Sequence, residues 1–273
     1  MQNAEYQEMP CISSHWLKDM LDSPATCYRN HLDPQRPARP PTDSLRLGTL
    51  VHCLALTPRQ LEHEFIITDY ERRSHAGKAR YAALTETGLT VIRPAELEKA
   101  RAIVAALHAS SETRKILRHG KKECTIIQPR ARGLLPLKAR LDIHAESGRK
   151  VIELKTIRHL SLVREAMKRY RYPLSAAFYL DIVRGHSVIF IFVQTSEPHE
   201  IGIFKLGRKD LEDGRMMWKT ALRRFDECWL KNEWPEAEPM TDLDDDPLMM
   251  PIPLMTATPN RQRFEIPVGE LAL

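Results

Sequence analysis

Ten residues separate Asp142 from Glu153-Leu154-Lys155, a D-x(10)-E-x-K arrangement of two carboxylates and one ammonium. Carboxylate oxygens suit a hard cation such as Mg²⁺, which keeps several waters of its own. A neighbouring lysine can orient an attacking water and offset the charge that builds on a phosphate. Hydrolysis of a phosphodiester is the chemistry these three side chains could do together. The spacing alone is weakly specific, because ordinary charged hairpins carry the same pattern by chance.

Such groups need rigid elements to hold them. The flanks, Pro136-Leu-Lys-Ala-Arg-Leu-Asp142 and Lys150-Val-Ile-Glu-Leu-Lys155, alternate apolar and polar residues, with Gly148 between them. That pattern predicts a β-hairpin. Period-2 geometry then places Glu153 and Lys155 on one face and turns Leu154 into the core. Strands are expected at 123–128, 134–142, 151–157, 187–194 and 200–206, with a short one at 65–67. Helices are expected at 13–22, from Ser44 to just before Pro58, and at 94–108, 161–169, 174–183 and 209–233. Residues 31–44, rich in Pro, Arg and Asp, read as a loop. The fold class that follows is α/β (α+β), a central sheet flanked by helices.

More chemistry-bearing residues gather around the hairpin. Glu123 opens the strand before it. His52 follows Gly48 by one helical turn, so both share a face and the glycine permits close backbone approach. Arg72 and Arg73, with Ala76-Gly77-Lys78, form a basic loop before a helix, suited to phosphates.

At 273 residues, with 42% hydrophobic and 28% charged content, the chain can bury a real core and is not a disordered class. No run of about eighteen apolar residues exists, which excludes a helical membrane span. The N-terminal residues lack the basic and apolar regions of a signal peptide. Five cysteines, Cys11, Cys27, Cys53, Cys124 and Cys228, form no CxxC pair and suit a reducing cytoplasm. The net charge is +5, but residues 235–273 hold eight acids and two bases. The remaining 234 residues carry 39 bases against 28 acids, a surplus of 11. A basic body with an acidic tail points to a polyanionic partner.

The motifs occur in a recognisable order. They are Leu47-Gly48-Thr49 with His52-Cys53, Arg72-Arg73 with Ala76-Gly77-Lys78, and Arg140-x-Asp142. Glu153-x-Lys155-Thr156, Tyr170-Arg171-Tyr172, Ala177-Phe178-Tyr179-x-Asp181 and Glu233-Trp234-Pro235 follow. This series resembles the RecE-type exodeoxyribonuclease (exonuclease VIII) family of the PD-(D/E)xK nuclease superfamily, over residues 10–236. The resemblance implies a restriction-endonuclease-like core, with a central mixed sheet, in an exonuclease domain over 1–236. Residues 237–273 are then a Pro-rich acidic tail. It implies an enzyme that degrades one strand of linear double-stranded DNA from 5′ to 3′, leaving 3′ overhangs for recombination.

Carried over residue by residue, His52, Asp142 and Glu153 would hold Mg²⁺ (or Mn²⁺), with Glu123 as a further acid. Lys155 would act on the water. Arg72, Arg73, Lys78, Arg140 and Tyr179 would contact DNA. A homo-oligomeric ring and a single-strand annealing protein are the partners implied, and no membrane. Iron–sulfur nucleases of the superfamily carry three cysteines near the C-terminus; only Cys228 lies late here, so no iron–sulfur cluster is expected. Three departures stand out. Leu141 replaces the superfamily's Pro before Asp142, Glu153 stands where RecE has Asp, and Ser175 replaces the Gln that usually precedes the motif tyrosine by four residues. The last keeps a rival open, a DNA-binding recombination module with a weakened site. An endonuclease of the same fold is another.

Overall fold

A computed structural model of the chain describes residues 3–36, 41–70, 73–145 and 149–237. Arg72, the turn glycine Gly148 and the tail from 238 onward lie outside the described residues.

The first half runs through α1 (Asn3–Glu8), α2 (Ser14–Asp22), α3 (Pro24–Cys27), a π turn (Tyr28–Leu32) and α4 (Asp43–Leu56). Then come α5 (Leu61–Glu64), β1 (Phe65–Ile67), α6 (His75–Thr85), β2 (Thr90–Ile92), α7 (Pro94–Ala109) and α8 (Ser111–Arg118). The second half holds β3 (Lys121–Gln128), β4 (Leu137–Ala145), β5 (Lys150–Ile157), α9 (Val163–Arg169) and α10 (Tyr172–Val183). It finishes with β6 (Ser187–Gln194), β7 (Ile201–Lys205) and α11 (Arg208–Lys231).

Strands β3 to β7 form one mixed sheet in sequence order. Only the β5–β6 pair is parallel, and α9 and α10 supply the crossover that a parallel pair needs. Every residue of β6 is buried, as expected of a strand covered on both faces. Val188, Phe190 and Phe192 pack with α2, α10 and α11, whereas Ile189, Ile191 and Val193 pack with α4, α7 and α8. The sheet is thus the middle of three layers. On the first face α11 presses against α10 so closely that a Cβ on Gly214 would lie 2.1 Å from the Pro173 carbonyl oxygen. Helix starts are satisfied locally: the Thr42 hydroxyl accepts from the Leu45 N–H at α4, and Glu96 accepts from the Arg93 N–H at α7. No helix among the described residues is long and apolar enough to cross a membrane.

The observed elements differ from the sequence reading in ways that matter for the site. Strand β4 begins after Pro136, which has no N–H to donate to a ladder, and runs on to Ala145. Asp142 therefore lies within the strand and not at its end. Strand β3 starts at Lys121, so Glu123 is internal too. The basic segment turns helical at His75, where the Ser74 hydroxyl accepts from the Gly77 N–H at 3.0 Å. Lys78 is consequently a helical residue. Helices α1 and α8 and strand β2 were not anticipated.

Candidate metal centre

Asp142 sits where two strands part. The β4–β5 ladder pairs Ala145 with Lys150, His144 with Val151 and Ile143 with Ile152, and then stops. The Leu154 N–H donates instead to Asp142 Oδ2 at 2.8 Å, so a side chain takes over from the backbone. On the other flank, the pairs Lys122–Ile143 and Cys124–Leu141 bracket Glu123 opposite Asp142. Glu123 has φ +46°, a left-handed conformation that costs a non-glycine residue about 1–3 kcal/mol. Such strain persists where the surroundings over-determine it, commonly at functional sites.

Helix α4 brings the imidazole. A Cβ on Gly48 would come within 3.3 Å of Thr156 Oγ1, so the glycine lets α4 lie close against β5. One turn later, His52 Nδ1 lies 3.4 Å from Asp142 Oδ1. Ligand atoms of His52, Glu123 and Asp142 all fall within 4.8 Å of one another.

Glu153 and Lys155 occupy the face of β5 that holds Val151 and Ile157 on either side of them. Lys155 Nζ donates to Glu153 Oε2 at 2.9 Å and lies 3.4 Å from Asp142 Oδ2. Glu153 is 3% exposed, and its Oε1 has no hydrogen-bond partner among the described residues. A buried carboxylate oxygen without a donor is costly.

The electrostatics follow from that crowding. Burial and the Asp142 charge push Glu153 up to about 7, against the pull of Lys155. For Asp142, burial works upward, but Lys155, His52 and the Leu154 N–H prevail and hold it well below the usual carboxylate range. Burial lowers Lys155, yet Asp142 and Glu153 outweigh it and keep the ammonium charged. Burial likewise lowers His52, and Asp142 more than restores it. Glu123 is raised by burial and by Asp142. Three buried or half-buried carboxylates thus crowd together among Lys155, His52 and Arg140, and one oxygen is bare. An oxygen-rich set with one imidazole fits a divalent cation such as Mg²⁺ or Mn²⁺. His52, Glu123, Asp142 and Glu153 are the residues that could hold it.

The other expected site residues are dispersed. Arg140 donates its Nε–H to Glu123 Oε2 at 2.7 Å, so it braces the acid. Arg73 and Lys78 are exposed around the first turn of α6, a helix with no buried residue. Tyr179 is only 9% exposed, and its hydroxyl lies 3.3 Å from that of Ser14. Its ring belongs to the buried core that also holds Phe178, Phe190 and Trp218. Ser175, at the position of the missing Gln, is also buried.

Three features beside the site carried no sequence signal that was read. Tyr6 of α1 lies between Lys138 and Arg140, with ring centroid distances of 4.7 and 5.7 Å to their charged ends. Lys18 of α2 is within electrostatic reach of Lys155 and Glu153. Arg114, Lys115, Arg118 and Lys121 form an exposed basic run that ends two residues before Glu123. Counting cations upstream of Glu123 would have found the last of these.

Residues 13–241 match the family described as a PDDEXK-like domain of unknown function (DUF3799). No curated protein is significantly similar to the chain. Among solved structures, a candidate exonuclease from Eubacterium rectale superposes with a TM-score of 0.62 at 14% identity, covering 88% of each chain. A phage-related exonuclease from Haemophilus somnus 129PT gives a TM-score of 0.32 at 13% identity, over 59% of this chain and 91% of that one. The first likeness concerns the fold, and it agrees with the three-layer architecture described above.

Proposed function

Because the chain belongs to the PDDEXK-like domain family DUF3799, we propose that it is a metal-dependent exodeoxyribonuclease of the RecE type, acting on linear duplex DNA. The observation that carries this reading is the Asp142–Glu153–Lys155 cluster at the parting of β4 and β5, with one Glu153 oxygen bare. Residues 1–236 are then the nuclease domain and 237–273 a tail. Digestion from 5′ to 3′, a ring-shaped oligomer, an annealing-protein partner and a cytoplasmic setting come with the RecE resemblance.

A divalent cation held at the site would supply Lewis-acid stabilisation of phosphoryl charge and a more acidic water. The chain's own residues do the rest. Asp142 anchors the cluster, since its two oxygens face the Leu154 N–H, Lys155 and His52. Lys155 stays protonated and so orients a water by donating to it, while its charge opposes that developing on the phosphate. Glu153 holds Lys155 in place through one oxygen and leaves the other for the cation. Glu123, fixed by Arg140, closes the acidic side.

Linear duplexes labelled separately at the 5′ and 3′ ends, alongside closed circles, test the proposal with Mg²⁺, Mn²⁺ or EDTA. Metal-dependent loss of the 5′ label, absent on circles and reduced at least 100-fold in Lys155→Ala, is the expected result for an orienting and charge-stabilising group. Cleavage of circles would make the protein an endonuclease. DNA binding without cleavage under any metal would make it a binding module, with Ser175 the leading cause.

A further inference from the structure

Lysine side chains at protein surfaces normally carry their ammonium out to water or to a carboxylate. Lys18 does neither. It is half buried, its ammonium takes part in no hydrogen bond or ion pair among the described residues, and its Nζ lies 5.5 Å above the ring of Tyr172. The Tyr172 ring itself is stacked on Phe190 of β6, with centroids 5.6 Å apart. Asp19, the adjacent acid, is occupied by Asn30 and His31 at 2.7 and 2.9 Å.

The backbone that carries this ammonium is braced from α10. Arg171 caps α10 in a left-handed conformation, φ +47°, and reaches across to α2. One of its nitrogens donates to the Lys18 carbonyl oxygen at 3.0 Å and the other to Asp22 at 2.6 Å. The Tyr170-Arg171-Tyr172 segment, whose role the metal centre leaves unexplained, thus fixes both the backbone of Lys18 and the wall its side chain lies on. His15, one turn earlier on α2, faces the same charges.

Burial and the neighbouring Lys155 push the Lys18 ammonium down to about 7, only partly offset by Glu153. The Tyr172 ring also lies 6.1 Å from that of Phe192, and Phe190 and Phe192 are the β6 neighbours of Glu153 and Lys155 in the parallel register. Lys18 therefore lies over the same face of the sheet as those two residues.

We propose that Lys18 is a phosphate-binding residue, taking a phosphodiester of the substrate strand on the Lys155 side of the site, opposite the His52–Glu123 side. This inference rests on the nuclease reading and names a substrate contact within it. In the bound state the phosphate supplies the missing counter-charge for Lys18, and the helix-to-helix brace of Arg171 keeps that contact in register with Lys155.

The test compares wild type, Lys18→Met and Lys18→Arg. DNA affinity is measured across a salt series in Ca²⁺, together with single-turnover cleavage in Mg²⁺, Mn²⁺ affinity by calorimetry, and Tm. Lys18→Met should weaken DNA binding about tenfold, the worth of one charge-assisted contact, and reduce the salt slope by about 0.9. Single-turnover cleavage should fall with it, while Mn²⁺ affinity and Tm stay at wild-type values and Lys18→Arg recovers most of the loss. A Lys18→Met protein with wild-type salt slope and cleavage overturns the assignment. So does a loss that tracks a lowered Tm and is not recovered by arginine, since that is packing. If wild type itself neither binds nor cuts DNA, the nuclease reading falls and this inference with it. A wild type that does both beside an indifferent Lys18→Met sinks only the latter.

Discussion

Glu153 illustrates how a single buried carboxylate couples stability to function. Its ordinary pKa is 4.5 and its folded value is about 7, raised by burial and by Asp142. Between those two values the folded chain binds more protons than the unfolded one, so stability falls as pH rises through that window. His52, also raised in the fold, adds a loss of the same sign above its ordinary 6.5. Asp142, which is depressed, acts the other way, but only at acid pH below its unfolded value. Lys18, lowered to about 7, and His15, lowered to about 4, act the other way over part of the same range. The Glu153 contribution, on the order of 1–3 kcal/mol between pH 5.5 and pH 8, is therefore read as the difference between wild type and Glu153→Gln. Glu153→Gln should flatten that dependence and raise metal-free stability at pH 8, while Mn²⁺ no longer stabilises it as in wild type. Denaturant titrations at both pH values, with and without Mn²⁺, measure this; a Glu153→Gln protein less stable than wild type at pH 8 would refute it. That Glu153 and Lys155 are neighbours was legible because strand alternation puts residues two apart onto one face. Tyr179 lies in a different pattern. Its helix is buried from Leu174 to Leu180, and an aromatic in such a run belongs to the core.

At the scale of elements, the hairpin was readable and its parting was not. Residues of β5 alternate between two covered faces, Val151 and Ile157 on one and Ile152 and Leu154 on the other, whereas the break in the ladder depends on one carboxylate accepting the Leu154 N–H. Helix α8 escaped notice because its eight residues, SETRKILR, bury only Thr113, Ile116 and Leu117. Helix α1 was invisible for another reason: what holds it is a residue far away in the chain. Lys138, 2% exposed, donates to the carbonyl oxygens of Tyr6, Gln7 and Met9 at 2.6, 3.2 and 2.9 Å. Next to it, Ile12 bridges to Leu137, the first residue of β4. Lys138→Met keeps the side-chain bulk but strands three carbonyls, which should cost about 2–4 kcal/mol. Hydrogen exchange should show residues 5–9 losing protection first. Since Tyr6 also lies under Arg140, which braces Glu123, Mn²⁺ affinity should drop several-fold in the same variant. Unchanged protection of residues 5–9 would show that α1 is held by something else.

Over the whole molecule, charge is segregated along the chain, and the fold turns that segregation into a direction. The 39 bases and 28 acids outside residues 235–273 gave a basic body, but composition could not say where the excess lies. Part of it is now located. Helix α8 turns Arg114, Lys115 and Arg118 outward because Thr113, Ile116 and Leu117 face the core. The chain then passes through exposed Lys121 into β3 and reaches Glu123 two residues on, opposite Asp142. A basic ramp leading directly into an acidic pocket suits a polyanion whose backbone is gripped at the rim while one phosphate is cut at the centre. Phosphates at the ramp would be held without regard to base sequence. Changing Arg114, Lys115, Arg118 and Lys121 together to Gln should thus weaken duplex binding equally for all sequences. It should also lower the salt slope by roughly 3–4 if each contacts one phosphate. Metal affinity should fall far less than DNA affinity, and cleavage should recover at saturating protein in single-turnover assays. A variant with an unchanged salt slope would mean that DNA approaches from another side. The exposed α6 segment with Arg73 and Lys78 would then be the surface to alter next.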